Sequence, residues 1–296
     1  MSRIFRDFFM INSNGKLIPE HIASISINNR GFHYSDAVFE TIKVIQGEPL
    51  FWEEHYFRLM ASMRVMRMEI PMNFTLEFLR DEIIKLINAK GIATSNARVK
   101  LSVFRKEGGY YLPEHRDIGY FISATEHPNE NYTWLEEPYV VELFKDYFIA
   151  PHLLSTLKTT NKIVNTLGSI YAEENDYHNC LLMNTNKMVI EALNGNIFLV
   201  NGTTIKTPPL SDGCLKGIMR QQIISIIEAD DTYTLEEASI SPFELQKADE
   251  LFITNVMMGV RPITKYRKKT FATKTAKALL DQLNKRVNYT KDSQEH

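Results

Sequence analysis

The chain has little cysteine, little net charge and no long apolar run. Its 296 residues include two cysteines and carry a formal net charge of -2. Two thiols are too few for a disulfide framework or a thiolate zinc site, so Cys180 and Cys214 are expected to be buried thiols in a reducing compartment. The near-neutral charge gives no reason to expect a nucleic-acid partner. No metal site is predicted.

The absence of a membrane-spanning run predicts a soluble protein without a membrane partner. The first residues, Met1 to Asp7, also lack the apolar core of a signal peptide. With the reducing compartment already inferred, we expect a cytoplasmic protein. Hydrophobic residues make up 44% of the chain, which is enough to form the cores of one or two domains.

A polar stretch from Thr125 to Pro138 divides the sequence. It combines proline with turn-forming asparagines and several glutamates, a composition typical of a linker. The predicted organisation is therefore a mixed α+β domain at residues 1–124, a linker at 125–138 and a second domain at 139–296.

Local patterns predict several elements of both domains. The pair Asn14-Gly15 suits a tight hairpin turn, so Phe8 to Ile18 is expected to form a hairpin. Ser241-Pro242-Phe243-Glu244 has capping-box spacing with proline at the first helical position, which predicts a short helix. Four further helices are predicted, at 53–68, 75–90, 159–175 and 270–286, of which the second has a clear apolar stripe. A frayed tail is expected from Asn288 to His296.

Three chemically different elements lie between Leu154 and Arg220. They are a lysine in Ser155-Thr156-Leu157-Lys158-Thr159-Thr160-Asn161, a glutamate at position 191 in a strand-like stretch, and a helix start near Gly217 after Pro208-Pro209. A buried lysine can lose its charge and act as a nucleophile. A glutamate among apolar neighbours needs a partner, and glycine at a helix start lets amides approach an anion. Taken singly, each has an ordinary alternative: a solvated lysine, a solvent-facing glutamate, a common helix start.

Arg58 adds a cation on the predicted helix 53–68. Its guanidinium can give a phosphate two parallel hydrogen bonds, whereas the structural alternative is a surface pair with Glu54 four residues earlier. It lies in Glu54-His55-Tyr56-Phe57-Arg58-Leu59. Two more motifs occur at residues 29–43 and 250–255, which begin Asn29-Arg30-Gly31 and Glu250-Leu251-Phe252.

In this order, the motifs resemble the class IV aminotransferases, which are the fold type IV pyridoxal phosphate enzymes. That family includes branched-chain aminotransferases, D-amino acid aminotransferases and aminodeoxychorismate lyases, and the resemblance covers nearly the whole chain. It implies an α+β, two-domain fold, with a small mixed α/β N-terminal domain and a larger C-terminal domain with a barrel-like β core. It also implies a homodimer.

The resemblance implies a role for each matching residue. Lys158 would bind pyridoxal 5'-phosphate covalently and later carry a proton, Glu191 would face the protonated pyridine nitrogen, and Leu215 would pack on the ring. Arg58 and the amides of Gly217 and Ile218 would hold the phosphate. The remaining implied residues are Asn196, Asn255 and Val256 for the cofactor, and Tyr34, Phe39, Lys100, Arg105, Tyr111 and Met257 for the substrate.

Two reactions remain open, and transamination is preferred. It would move an amino group between a hydrophobic, branched-chain-like amino acid and a 2-oxo acid such as 2-oxoglutarate, and His33-Tyr34 with Val38-Phe39-Glu40 resemble that pattern. The alternative is a 4-amino-4-deoxychorismate lyase that releases pyruvate and 4-aminobenzoate. It is favoured by Asn161, third after Lys158, and by Ile163 in place of the tyrosine of branched-chain enzymes.

Two further interpretations are less favoured. D-Amino acid aminotransferases hold the substrate carboxylate with an arginine and a histidine on a loop, and Glu107 to Pro113 supplies neither. A non-catalytic scaffold would have no chemical reason to keep Lys158, Glu191 and Arg58 together.

Overall fold

The computed structural model describes residues 9–93, 95–128 and 131–292. The first residue of the predicted hairpin, the N-terminal segment Met1 to Asp7, residues 129–130 of the predicted linker and the last four residues of the predicted tail lie outside this part. The chain divides into two compact units. The first unit is Met1–Glu130 with Lys158–Asn161, and the second unit is Asn131–Leu157 with Lys162–His296.

The first unit is built on a six-stranded antiparallel sheet. Its strands lie in the order β2-β1-β6-β5-β3-β4. The elements in chain order are β1 (Met10–Ser13), β2 (Lys16–Pro19), α1 (Arg30–Tyr34), β3 (Ala37–Ile45), β4 (Glu48–Pro49), α2 (Trp52–Val65), α3 (Leu76–Ala89), β5 (Asn96–Arg105) and β6 (Ile118–His127).

The first hairpin turn of this sheet follows from its sequence. Asn14 and Gly15 both have positive φ, 51° and 83°, and connect β1 to β2. Two successive residues with positive φ match the right-handed twist of the strands, and this pair tolerates that conformation. The predicted hairpin is therefore confirmed over its described residues.

Helices α2 and α3 form the hydrophobic core of the first unit with the sheet. Helix α3 begins after Thr75, whose hydroxyl accepts a hydrogen bond from the amide of Phe78, and it ends just before Gly91 at φ 67°. Its apolar stripe is fully buried in this core, as residues three and four apart on one helix face predict. The stripe comprises Leu79, Ile83, Leu86 and Ile87. The predicted helix 75–90 is confirmed.

Over its described residues, the second unit contains a ten-stranded sheet and four α-helices. Its main path runs β12-β11-β10-β9-β8-β7-β15-β16, and β13 pairs with β10 and β14. The elements are β7 (Val140–Leu143), α4 (Ile163–Glu174), β8 (Asn179–Met183), β9 (Val189–Ala192), β10 (Gly195–Asn201), β11 (Thr204–Thr207), α5 (Ile218–Glu228), β12 (Thr234–Glu237), α6 (Pro242–Lys247), β13 (Glu250–Asn255), β14 (Gly259–Ile263), β15 (Lys265–Tyr266), β16 (Lys269–Thr270) and α7 (Lys274–Asp292).

Strand β10 is the organising strand of the second unit because it pairs with three others. Its first residues pair with β9 and its last with β11, while residues 196–200 pair with β13 along the opposite edge. Glu191, Asn196 and Thr254 are consequently direct neighbours across three strands. Directly opposed residues project to the same face of a sheet, so these three polar side chains share one face.

Two elements continue into segments for which the sequence predicted a linker and a frayed tail. Strand β6 continues to His127, which pairs with Asn96, so the first three residues of the predicted linker are strand. Helix α7 continues to Asp292, so the described part of the predicted tail is helical. Val287 is fully buried and extends the apolar stripe of this helix, which explains why the helix does not stop at Arg286.

The predicted short helix at Pro242 is confirmed. Ser241 and Glu244 form a reciprocal capping box at the start of α6, which satisfies two amides that the helix would otherwise leave unpaired. None of the helices over residues 9–93, 95–128 and 131–292 combines the length and the apolar character needed to span a bilayer.

Candidate active site

Lys158 lies in a short extended segment of the first unit. The amide of Phe39 donates to the carbonyl of Lys158 at 2.9 Å, and the amide of Thr160 donates to the carbonyl of Ala37 at 3.0 Å. The Thr160 hydroxyl also donates to the carbonyl of Ser35 at 3.2 Å. The prediction of helix from residue 159 is therefore wrong at its start, because these residues use their backbone groups to pair with β3.

The side chain of Lys158 lies against an aromatic ring. Its Nζ is 4.6 Å from the centroid of Phe39, and Nζ of Lys100 is 4.9 Å from the same centroid. An ammonium at this distance is attracted by the negative face of the ring. Burial, and after it the charge of Arg98, lowers the pKa of Lys100. The structure thus brings together Lys158, Phe39 and Lys100, three residues predicted from sequence.

Arg58 is held by a buried ion pair that the sequence did not predict. Its Nε donates to Glu40 Oε1 at 2.8 Å and its Nη2 to Glu40 Oε2 at 2.5 Å. Glu40 Oε2 also contacts Nδ1 of His55 at 2.6 Å. Glu40 is 1% exposed and His55 is fully buried. Two parallel hydrogen bonds fix the plane of the guanidinium as well as its position.

The charges of this group follow from its surroundings. Burial opposes the charge on Glu40, but Arg58 and His55 outweigh burial and lower its pKa to about 2. Burial lowers the pKa of His55 against the opposing effect of Glu40. Because an ionised carboxylate can only accept, Nδ1 of a neutral His55 must carry the proton that faces Glu40.

Glu40 and His55 were missed as site residues even though a signal for them existed. His55 and Arg58 are three residues apart on α2 and therefore lie on the same helix face. A basic pair on the side of a helix that packs on a sheet needs an acidic partner, and Glu40 is the acid on the adjoining strand β3. The partner itself could not be identified without the pairing of helix and strand.

In the second unit, two neighbouring side chains hold the main chain at Leu215. Glu191 Oε2 accepts from the Leu215 amide at 2.8 Å, and Asn196 Nδ2 donates to the Leu215 carbonyl at 2.8 Å. Glu191 and Asn196 oppose each other across β9 and β10, so the register of this hairpin sets the position of Leu215. These three predicted cofactor residues are brought together.

Gly217 is placed at the N-cap of α5. Its φ is -74°, so its backbone needs no special freedom, but a Cβ at this position would collide with Oδ1 of Asn196. The first turn of α5 contains no acidic residue. Its leading amides, from Ile218 onward, have no partner within the helix itself, and the helix dipole favours an anion there.

The turn after β13 contains the other three predicted residues of the second unit. Asn255 Oδ1 accepts from the amides of Met257 and Met258 at 3.0 and 2.9 Å, and its Nδ2 donates to the carbonyl of Asn194 at 2.9 Å. The carbonyl of Val256 accepts from the Tyr132 hydroxyl at 2.8 Å. The side chain of Asn255 therefore shapes this turn, and contact of Asn255, Val256 and Met257 with a ligand stays a prediction.

The predicted substrate residue Arg105 is engaged elsewhere. Its Nε donates to Asp36 Oδ2 at 2.8 Å, and its terminal nitrogens donate to the carbonyls of Arg67 and Met66 at 3.1 and 2.6 Å. Its side chain is 7% exposed. Because the guanidinium is buried and bound to these partners, we leave Arg105 out of the substrate site proposed below and retain Lys100.

Tyr34 and Tyr111, both predicted to contact substrate, lie beside each other in the first unit. Their ring centroids are 5.8 Å apart. Both are solvent-exposed, Tyr111 to 91%. They form an aromatic surface, and their role toward a substrate stays a prediction.

The described residues fit the chemistry of a pyridoxal phosphate site better than that of a metal. The first unit offers the amine of Lys158 and the held guanidinium of Arg58, and the second unit, taken by itself, offers the carboxylate of Glu191 and a helix start without acidic residues. Among residues 9–93, 95–128 and 131–292, no three His, Cys, Asp or Glu side chains are grouped to hold a metal ion.

The model of the amino-transferase class IV family matches residues 37–266 of the chain. The chain belongs to the class IV aminotransferases. A relative assigned as a branched-chain-amino-acid aminotransferase in Methanocaldococcus jannaschii is 26% identical and covers 84% of this chain and 85% of its own. The aminodeoxychorismate lyase of Vibrio harveyi is 24% identical, over 81% and 86% of the two chains. A D-alanine aminotransferase of Listeria innocua is 24% identical, over 85% of each.

Solved structures show the fold of this class IV aminotransferase. The branched-chain aminotransferase of Thermoproteus uzoniensis with norvaline has a TM-score of 0.83, 22% identity and 93% coverage of each chain. A T.th. branched-chain aminotransferase with pyridoxamine 5'-phosphate has a TM-score of 0.80 at 22% identity and 92% coverage of each chain. The expectations of a fold type IV architecture, an enzyme and a pyridoxal phosphate cofactor are confirmed.

Proposed function

We propose that this enzyme transfers an amino group between a hydrophobic, branched-chain-like amino acid and a 2-oxo acid such as 2-oxoglutarate. The observation that carries the proposal is the ring of Phe39, which lies beside the amines of both Lys158 and Lys100. A substrate that reacts at Lys158 would place a carboxylate near Lys100 and a hydrocarbon side chain against Phe39. A hydrophobic amino acid has both groups.

The cofactor supplies an aldehyde and a pyridine ring that accepts the electrons of the substrate's Cα–H bond. Lys158 would hold the aldehyde covalently and, once released, carry the proton taken from the substrate. Glu191 would keep the pyridine nitrogen protonated. Arg58 and the amides of Gly217 and Ile218 would bind the phosphate, while Leu215, positioned by Asn196, would pack against the ring.

We propose that the protein works as a homodimer in the cytoplasm. The family habit supports the dimer, and the small number of cysteines supports a reducing compartment. The division into domains at residues 1–124 and 139–296 with a linker between them also remains a proposal. Gel filtration with light scattering would test the dimer.

The second candidate is the aminodeoxychorismate lyase. It is supported by the relative from Vibrio harveyi and by Ile163, which occupies the position of the branched-chain tyrosine and is 60% exposed. Position 163 therefore lacks the phenol that the tyrosine of the branched-chain pattern would supply.

One set of incubations tests these proposals. Purified protein is expected to be yellow, to lose its colour with borohydride while retaining label at Lys158, and to be colourless as Lys158→Ala. It is then given leucine with 2-oxoglutarate, D-alanine with 2-oxoglutarate, or aminodeoxychorismate. We expect glutamate from leucine. Release of 4-aminobenzoate without any glutamate would replace the transaminase proposal by the lyase, and glutamate from D-alanine alone would contradict the substrate class.

A further inference from the structure

Arg30 is a buried arginine whose contacts the proposed reaction does not use. It opens helix α1 and is 3% exposed. Its Nη1 donates to three successive carbonyls, those of Gly108, Gly109 and Tyr110, at 3.1, 3.2 and 2.6 Å. One guanidinium thus holds three consecutive peptide groups of the loop at 106–114.

This loop has a shape that depends on its glycines. Gly108 and Gly109 have φ of 114° and 72°, and a Cβ on Gly109 would collide with the carbonyl of Leu112. Gly109 also forms a bridge with Pro113. With its carbonyls directed at Arg30, the loop presents its apolar side chains outward, and Tyr110, Tyr111 and Leu112 are more than four-fifths exposed.

Arg30 also contacts Tyr34, another of the aromatic residues predicted to bind substrate. Its guanidinium carbon is 5.0 Å from the ring centroid of Tyr34, and Tyr34 lies 5.8 Å from Tyr111. The arginine therefore holds the loop that carries Tyr111 and the ring that Tyr111 faces.

The same arginine reaches the segment that pairs with Lys158. Arg30 Nε donates to Asp36 Oδ2 at 3.0 Å, the oxygen that also accepts from Arg105. On either side of Asp36, the carbonyls of Ser35 and Ala37 accept from Thr160. Arg30, through Asp36, thus fixes the turn against which the residues after Lys158 are paired.

We propose that Arg30 is a positioning residue that holds Tyr34 and the Tyr111 loop in place and so determines how tightly the amino acid substrate binds. It does not touch the substrate. The inference that Arg30 holds the loop is drawn from contacts within the first unit, and the effect on substrate binding rests on the proposed function.

The test compares Arg30→Lys and Arg30→Met with the wild type. Lysine keeps the charge but cannot reach Asp36 and three carbonyls together, whereas methionine keeps much of the volume without any donor. We expect KM for leucine to rise about tenfold in Arg30→Lys and more in Arg30→Met, because several charge-assisted hydrogen bonds are lost. The values of kcat should stay within about twofold and the cofactor absorbance should be unchanged.

Arg80→Met is the matched control. Arg80 pairs with Glu48 on the surface and its side chain is 39% exposed, so its loss should leave KM unchanged. An unchanged KM in both Arg30 variants would overturn the effect on binding. A rise in KM that is accompanied by a large fall in kcat and in melting temperature would also overturn it, because that pattern indicates a structural role only.

Hydrogen exchange tests the loop directly and needs no substrate. In both Arg30 variants, the peptide covering residues 106–116 should exchange about tenfold faster, while a peptide from the centre of β5 should not change. Unchanged loop exchange would overturn the proposal itself. If leucine leaves the cofactor absorbance unaltered, the proposed function fails, and the exchange result still decides whether Arg30 holds the loop.

Discussion

The two units hold their predicted cofactor residues by different physical means. In the first unit, Arg58 is fixed by a charged side chain, since Glu40 binds it and is itself bound by His55. In the second unit, Glu191 and Asn196 bind the main chain of one residue, and Gly217 at the helix start offers only backbone. The first arrangement depends on the ionisation of Glu40, and the second depends on the absence of a Cβ at Gly217.

This difference determines what can disrupt each arrangement. A buried ion pair is costly to break by removing one partner, because the other charge is left without compensation. The helix start at Gly217 presents backbone groups without a titrating side chain, but it tolerates no extra carbon where amides must approach an anion. The two units should therefore respond differently to pH and to side-chain volume.

The largest expected effect is that of Lys158→Ala. The variant would lose the proposed covalent attachment and proton carrier, and turnover should fall by about 10⁴-fold. Its activity is measured with leucine and 2-oxoglutarate after loading with cofactor. Lys162→Ala, four residues later, is the control and should retain activity. Comparable rates in the two variants would remove Lys158 from the mechanism.

Glu40→Gln tests the charged arrangement through its pH dependence. A fall in the pKa of Glu40 from 4.5 to about 2 corresponds to about 3 kcal/mol, at 1.36 kcal/mol per pKa unit. Because the folded pKa is the lower one, this stabilisation is complete above pH 4.5 and is lost as the pH falls toward 2. Urea unfolding at pH 7 should show the variant about 3 kcal/mol less stable, with a much smaller difference at pH 3.

Glu48→Gln is the matched control for that experiment. Glu48 pairs with Arg80 and its side chain is 44% exposed, so the free energy of unfolding should change by less than about 1 kcal/mol. A stability difference between Glu40→Gln and the wild type that stays constant from pH 7 to pH 3 would contradict the assigned charge.

Gly217→Ala tests the backbone arrangement. The new Cβ would collide with Asn196 Oδ1 and displace the side chain that holds Leu215. The affinity for pyridoxal phosphate should fall by about tenfold or more, through weakened hydrogen bonds to the phosphate, and equally at pH 6 and pH 8.

Gly202→Ala is the control, since its Cβ meets nothing within 4 Å. Because Gly202 has a positive φ, the alanine should strain the backbone and lower the stability of the protein without changing its affinity for the cofactor. Unaltered affinity in Gly217→Ala would argue against the phosphate site.

Lys100→Met should have the smallest effect. The loss of the cation beside Phe39 should raise KM for the amino acid about tenfold with little change in kcat. Lys106→Met is the control, because that side chain is 57% exposed and 3.8 Å from Asp117. Equal KM values for Lys100→Met and Lys106→Met would contradict the proposal that Lys100 binds the substrate carboxylate.

Local sequence was sufficient for the elements that need only neighbouring residues. The turn at Asn14-Gly15, the helix capped by Thr75 and the capping box at Ser241 each depend on residues within one turn of the chain. The helix start at Gly217 was likewise readable, because glycine followed by helical periodicity is a local pattern.

Local sequence was misleading for the residues just after Lys158 and silent on the partners of Arg105. Helical periodicity begins close after Lys158, yet residues 158–160 form an extended segment because β3, more than 100 residues earlier, supplies their hydrogen-bond partners. The cation at Arg105 looked available for a substrate, but the fold directs Asp36 and two carbonyls at its guanidinium.

The sequence by itself determined the kind of chemistry, because an amine at position 158, a carboxylate at 191 and a glycine at 217 are properties of residue type and order. Only the tertiary structure decided which charges meet. Glu40 finds Arg58 and His55, and Arg30 finds the carbonyls of a loop 78 to 80 residues away, because helix and strand packing brings distant segments together. No local pattern in the chain encodes those distances.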